Sequence, residues 1–284
     1  MSMRPPLLGL VCASLLGAAA LAGPAVAAPL PGFRPGESFI FDFSVGSLQA
    51  GRARLSVGAP KKTAAGARVA LQGDAESSPW LAMVTRVHDV YRAVLDADGV
   101  PATRSVKMEE HGLRERSIDF VLDRHPAGTL LHLDITRPSE KRKELHQLAG
   151  VPLDLVSSLF FMRFQPLEPG DAFDFVFFDG PIFYRSHARV VGREAVVRAG
   201  ASRPAVRVDV RAERIDWAFH VIPRGEKRHA VLLFSDDGDH VPLRVEGDTD
   251  FGTCTLELTG YQPGQPPVPQ RRPAPTTQVV LRAR

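Results

Sequence analysis

The residues with chemistry to offer are scattered rather than spaced. Nine histidines are spread from His88 to His240, and no two of them stand at the three- or four-residue spacing of a helical metal site. No Gly-x-Ser-x-Gly elbow, glycine-rich phosphate loop, His-Glu-x-x-His pair or Cys-x-x-Cys pair occurs, so the common nucleophile, nucleotide and zinc chemistries lack their spacing. The densest carboxylate group is Asp236, Asp237 and Asp239, followed by Asp248 and Asp250. A calcium loop needs oxygens at alternating positions and a distant glutamate. Asp237-Gly238, between two apolar runs, reads instead as a hairpin turn. The one enzyme class this group would serve is an envelope glycan hydrolase, which uses paired carboxylates. Lys141-Arg142-Lys143-Glu144 reads as a solvated linker face. Cys254, in the alternating Thr253-Cys254-Thr255-Leu256, reads as a small buried hydrophobe. No cofactor, metal site or catalytic set is expected, and the balance leans against an enzyme.

The aromatic residues are organised where the polar ones are not. Phe160, Phe161, Phe164, Phe173, Phe175, Phe177, Phe178 and Phe183 fall within 24 consecutive positions and make up half of the 16 phenylalanines. In the run Phe173 to Phe178 the odd positions are all Phe, and Val176 with Phe178 makes most of the opposite face apolar too. A strand of that kind must be covered on both sides. Either a helix packs on it as ordinary core, or the second side is a cavity for an apolar ligand. The candidate ligand-binding residues are therefore Phe160, Phe164, Phe173, Phe175 and Phe177, with Trp80.

These residues must be held by elements whose dominant period is two. Phe39, Phe41, Phe43 and Val45 fall on one side of a strand, as do Ala53, Leu55 and Val57 with Arg52, Arg54 and Ser56 opposite. Comparable segments follow at 67–74, 88–96, 103–109, 113–123 and 129–136, and then at 172–178, 183–191, 205–212, 228–235, 241–246 and 253–259. The turns between neighbours are too short for parallel crossovers, which predicts antiparallel pairing. Two stretches read as helix. Ser78-Pro79 caps a short one through Trp80, Met83, Val84 and Val87. The other begins near Pro152 and ends at Arg163, before Gln165-Pro166. The expected fold is mainly β, a strongly curved antiparallel sheet or open barrel-like meander with two short helices, either as one unit or as two sheet halves joined near residues 140–170.

Residues 1–27 hold one charge, Arg4, an apolar run and Ala25-Val26-Ala27, the pattern of a signal peptide cleaved near Ala27. That run is short for a membrane span, and no later stretch is as apolar. Residues 28–262 form the expected β-rich domain. Residues 263–284 hold six prolines and four arginines without an acid, and read as a disordered basic tail. The pI of about 9.1 comes from that tail, since residues 28–262 carry 30 bases and 32 acids. A concentrated basic face is absent, and with it nucleic-acid binding.

Four ordered motifs carry a family resemblance: Phe33-x-Pro35-Gly36-Glu37; Ala50-Gly51-x-Ala53-x-Leu55; Asp154-x-Val156-Ser157-Ser158-Leu159-Phe160-Phe161-x-Arg163 with Pro169-Gly170-Asp171; and Phe234-Ser235-Asp236-Asp237 with Val241-Pro242-Leu243-Arg244-Val245. Over residues 33–261 the chain resembles the exported bacterial family of domain of unknown function 3108. The resemblance implies a secreted or periplasmic antiparallel β domain and supplies no catalytic residues. Phe43 and Val45 stand where the family pattern commonly has Trp. In layout alone the chain is similar to periplasmic lipoprotein carriers, whose curved sheet holds acyl chains. The leading expectation is a periplasmic or secreted, non-enzymatic protein that binds a lipid-like apolar or amphipathic ligand, or an envelope partner. An outer-membrane assembly or structural factor, with the tail touching an anionic surface, is the alternative, ahead of the glycan hydrolase.

Overall fold

The computed structural model describes residues 33–265 other than 65, 84, 85, 87, 97–101, 113, 114, 126, 127, 199, 200, 250 and 251. The expected signal peptide and all but the start of the tail lie outside the described residues. The first half of the chain supplies β1 (Ser38–Val45), β2 (Leu48–Val57), β3 (Lys61–Thr63), β4 (Gly66–Ser77), α1 (Pro79–Ala82), β5 (His88–Asp96), β6 (Ala102–His111), β7 (Arg116–His125), β8 (Gly128–Arg137) and β9 (Glu140–Leu148). The second half supplies β10 (Leu153–Asp154), α2 (Leu155–Arg163), β11 (Ala172–Asp179), β12 (Ile182–Arg198), β13 (Ala201–Ile215), β14 (Lys227–Ser235), β15 (Pro242–Thr249) and β16 (Gly252–Gln262).

The two halves are one sheet. Its hydrogen-bonded order is β10-β11-β12-β13-β14-β15-β16-β1-β2-β4-β5-β6-β7-β8-β9, with β3 paired to β4. The last strand joins the first, so each half is a meander and the β16/β1 pair welds them. All pairings are antiparallel except the two-residue β10/β11 ladder. The sheet does not close, because β9 and β10 are its two ends. It rolls past itself instead. Phe177 and Phe178 of β11 point to opposite faces. Phe178 lies 4.4 Å, centroid to centroid, from Phe120 of β7, and His146 of β9 stacks at 3.8 Å on Trp217, which follows β13. On the other face, Phe175 packs 5.4 Å from Phe161 of α2. The end of the sheet that begins at β10 is thus tucked under the end that finishes at β9.

Helix α2 lies within this roll. Phe160 and Phe164, one turn apart, meet Phe33 at 5.2 and 5.1 Å, while Phe161 turns to Phe173 and Phe175. A helix with rings on several sides is stable only when wrapped. Its C-terminal end is fixed by Arg163, 1% exposed, whose guanidinium donates twice to Glu37, 0% exposed, at 2.8 and 2.7 Å. Arg163 Nε also donates to the Asp239 carbonyl at 2.7 Å, and Tyr261 Oη donates to Glu37 at 2.7 Å. The guanidinium lies over the rings of Phe39 and Phe160. Gly36, at φ 77°, makes the turn that presents Glu37.

Several expectations need correction. Lys141 to Glu144 is not a linker but part of β9, in which Glu144 and His146 are half-buried and Leu148 is buried while Lys141, Arg142 and Lys143 are exposed; its charges suit a sheet edge. The second helix starts at Leu155 rather than near Pro152, because Leu153 and Asp154 pair with β11. Helix α1 is only Pro79–Ala82, with Met83 exposed; Val84 and Val87 lie outside the described residues. The strand expected from residue 113 begins at Arg116.

Removing one partner of a buried ion pair strands the other charge, at a cost of about 3–5 kcal/mol. Arg163→Met is expected to lose that much in urea unfolding, and the double variant Arg163→Met, Glu37→Leu to regain most of it. Equal losses in both would show that the pair matters for its packing rather than its charge.

Candidate functional site

The N-terminal end of α2 is as firmly held as the other. Asp154, 2% exposed, caps the helix by accepting from the backbone N–H of Val156 and of Ser157, each at 3.0 Å. Its carboxylate also takes the hydroxyls of Tyr91, Ser157 and Thr103, the last at 2.9 Å, and Thr103 Oγ1 accepts the Asp154 N–H at 3.1 Å. Burial, then the Asp154 charge, pushes the Tyr91 phenol well above its usual range. It stays a hydrogen-bond donor.

Away from α2 the concave face changes character. Near the helix it is sealed by buried Phe39, Phe41, Val57, Leu71 and Leu95. Toward the opposite end, at the β1/β2 turn and α1, Phe43, Val45, Ala53 and Ala75 are only half-buried. The register sets Ala53, Ala75, Asp89, Glu110 and Arg116 in one rung across five strands. The lining is narrow in side-chain volume by construction. A Cβ on Gly51 would lie 2.4 Å from the Phe43 ring and 2.1 Å from the Glu76 carbonyl, so only glycine lets that ring lie flat against β2. Leu48, Trp80 and Met83 are exposed at this rim, and Trp80 Nε1 donates to the Gln49 carbonyl at 2.8 Å.

Charges ring the same end. Arg116 holds Glu110 through two bonds of 2.7 and 2.6 Å. Arg228 donates to Asp179 at 2.9 Å and to Glu226 at 2.7 Å, with Tyr184 Oη donating to Glu226 at 2.9 Å. Asp89 accepts from the His111 backbone, but burial first and then the Glu110 charge raise its carboxyl above the ordinary value.

The residues singled out from sequence fall into two places. Phe160, Phe164, Phe175 and Phe177 are buried against other rings, and Phe173 is half-buried beside Phe161; all five belong to the packing around α2. Trp80 stands at the far rim, 44% exposed, and the structure does not bring it to them. The rung from Ala53 to Arg116 escaped the sequence reading. Small residues at alternating positions of β2 and β4 were the available signal. Asp237 is occupied by its turn, accepting from Ser235 Oγ and the backbone N–H of Asp239 and His240, while Asp236 pairs with Arg193 and Asp239 with Arg34. These carboxylates do not face one another across a groove. Among the described residues no three metal-ligating side chains converge, and no helix is long and apolar enough to cross a membrane. Burial raises the Cys254 thiol.

A family model described as a protein of unknown function (DUF3108) matches residues 40–259. No curated protein matches the chain. Among solved structures, a β-barrel-like protein of domain of unknown function DUF1849 from Brucella abortus is similar at 10% identity and a TM-score of 0.49, over 81% of this chain and 98% of that one. The hypothetical protein CT021 from Chlamydia trachomatis is similar at 9% identity and a TM-score of 0.30, over 85% of this chain and 93% of its own.

Because the folded chain holds the Asp89 proton more tightly than the unfolded chain does, stability falls as pH rises through and above the ordinary carboxylate range. Asp89→Asn is expected to raise Tm at neutral pH and to leave it unchanged in acid well below that range. A lower Tm at neutral pH would mean that the ionised carboxylate is a net stabiliser.

Proposed function

Since the chain belongs to the DUF3108 family of proteins of unknown function, we propose a role from its own residues: it is an exported, non-enzymatic binding protein that takes a lipid-like apolar or amphipathic ligand at the half-buried end of the roll. The observation that carries this reading is the contrast along one concave face. One end is sealed by a pinned helix; the other is lined by Phe43, Ala53 and Ala75 and rimmed by exposed Trp80, Leu48 and Met83. Exposed apolar groups gathered at one rim mark contact surfaces rather than solvent faces. The charged rung, with Asp89, Glu110 and Arg116, would meet a polar head while the apolar lining meets a chain. The rings around α2 act in this reading as the floor of the site, so Phe160, Phe164, Phe173, Phe175 and Phe177 contribute through packing. Export, from the leader at residues 1–27, puts the protein in the periplasm or outside the cell.

Native mass spectrometry of the freshly purified exported protein is expected to show a co-purified lipid, and mature chains to begin at Ala28 or Pro29. Ala75→Trp, which fills the lining, is expected to abolish binding of a fluorescent fatty acid while Tm changes little. Unchanged probe binding in Ala75→Trp would move the site elsewhere, and no binding by the parent chain would end the reading. Phe177→Ala should instead lose about 3–5 kcal/mol of stability, as for a large ring removed from a core.

A further inference from the structure

At the sealed end, two arginines donate to one carboxylate and a third arginine stands opposite it in the strand register. Asp96, at the end of β5, accepts from Arg104 Nε at 2.7 Å and from Arg124 Nη1 at 2.8 Å. Arg68 stands directly across from Asp96 in the β4/β5 register. The second nitrogen of the Arg124 fork donates to the Thr103 carbonyl at 2.9 Å, which ties the group to the residue whose hydroxyl holds Asp154 and α2. Asp96, Arg104 and Arg124 are 19, 24 and 23% exposed, enclosed but open to solvent on one side.

A purely structural reading accounts for part of this. The register slips between Val94 and Leu95 opposite Arg104, and a bond from Arg104 to Asp96 fastens that bulge. It does not account for the second guanidinium. One carboxylate balances one of the two charges it touches. Nor does it explain why the Nε of Arg124 and the Nε of Arg68 are both buried with no acceptor among the described residues, since a buried donor left unpaired costs about 1–3 kcal/mol. Arg124 is also disfavoured as a cation, by burial first and by the like charge of Arg104 second. A second anion would relieve all three conditions at once.

We propose that Arg104, Arg124 and Arg68 form a site for a phosphate group, set at the end of the roll opposite the apolar rim and independent of the ligand proposed there. Guanidinium forks match the oxygens of a tetrahedral phosphate, which offers more acceptors than the single Asp96 carboxylate and carries enough charge to balance the remaining cations. The phosphate belongs either to a small soluble ester or ion, or to a lipid headgroup against which this end of the roll would lie.

Calorimetric titration of the full mature chain with inorganic phosphate at low ionic strength is the first arm. Flotation with vesicles of phosphatidylcholine, with and without phosphatidylglycerol, is the second. Binding in either arm that falls at least about tenfold in Arg124→Gln and in Arg104→Gln, with Arg193→Gln unchanged, supports the site. Phosphate binding alone identifies a soluble source, and phosphatidylglycerol-dependent flotation alone identifies a headgroup. Because the arginine variants could lose stability, Asp96→Asn supplies a readout of opposite sign: removal of the competing carboxylate should tighten binding severalfold. No binding in either arm, binding indifferent to Arg104 and Arg124, or weaker binding in a folded Asp96→Asn would overturn the proposal. None of these outcomes bears on the fatty-acid probe at the apolar rim.

Discussion

The rest of the structure depends on burying a nine-residue helix whose side chains include Phe160, Phe161 and Met162, with Phe164 as its C-cap. Such a helix has little intrinsic stability, and its apolar surface has to be taken from water on more than one side. A closed barrel would face it with one surface. Rolling the sheet past closure gives α2 Phe33 and Phe39 on one side and Phe173 and Phe175 on the other, while the reverse face of β11 packs Phe178 against Phe120. The price of that arrangement is two buried helix ends, and each is met by polar groups from distant segments: Thr103 and Tyr91 at Asp154, Glu37 and Tyr261 at Arg163.

The family motifs acquire a physical meaning from this. Asp154 through Arg163 is the helix with both its anchors, Pro35-Gly36-Glu37 delivers the carboxylate for the second anchor, and the turn at Asp236 and Asp237 positions the Asp239 carbonyl that receives Arg163 Nε. These motif residues therefore meet in one buried joint between α2, the start of β1 and the β14/β15 hairpin, while Ala50-Gly51-x-Ala53-x-Leu55 lies in β2 along the lining. That joint is a reason to look for function at the other end of the concave face, where the lining is half-buried.

Much of the fold was legible because most strands have one buried and one solvated face. Segments such as Arg52 to Val57 and Ile118 to Asp123 alternate in burial along the strand. Strand β9 was not legible, since its partly buried positions are the polar Glu144 and His146, the latter stacked on Trp217 at a sheet edge. Strand β10 is too short to have a period. The coverage of both faces of β11 could be read from Phe173 to Phe178, but not that β7 supplies one cover. The pairing of Glu37 with Arg163 spans 126 residues and leaves no local trace. The half-buried rung was likewise hidden, because Ala53 and Ala75 look like ordinary strand residues until the register places them beside Asp89 and Glu110.

The central claim is that α2 is wrapped and pinned at both ends, so that it cannot leave the roll without the roll itself opening. Native-state hydrogen exchange of the Phe160, Phe161 and Met162 amides tests this most directly. The account predicts that they exchange only through global unfolding, with the same opening free energy as Leu131 and Leu133 in the middle of β8. Exchange of the helix amides through a separate opening, several kcal/mol easier than that of β8, would contradict it and make α2 a detachable element rather than the fixed centre of the fold.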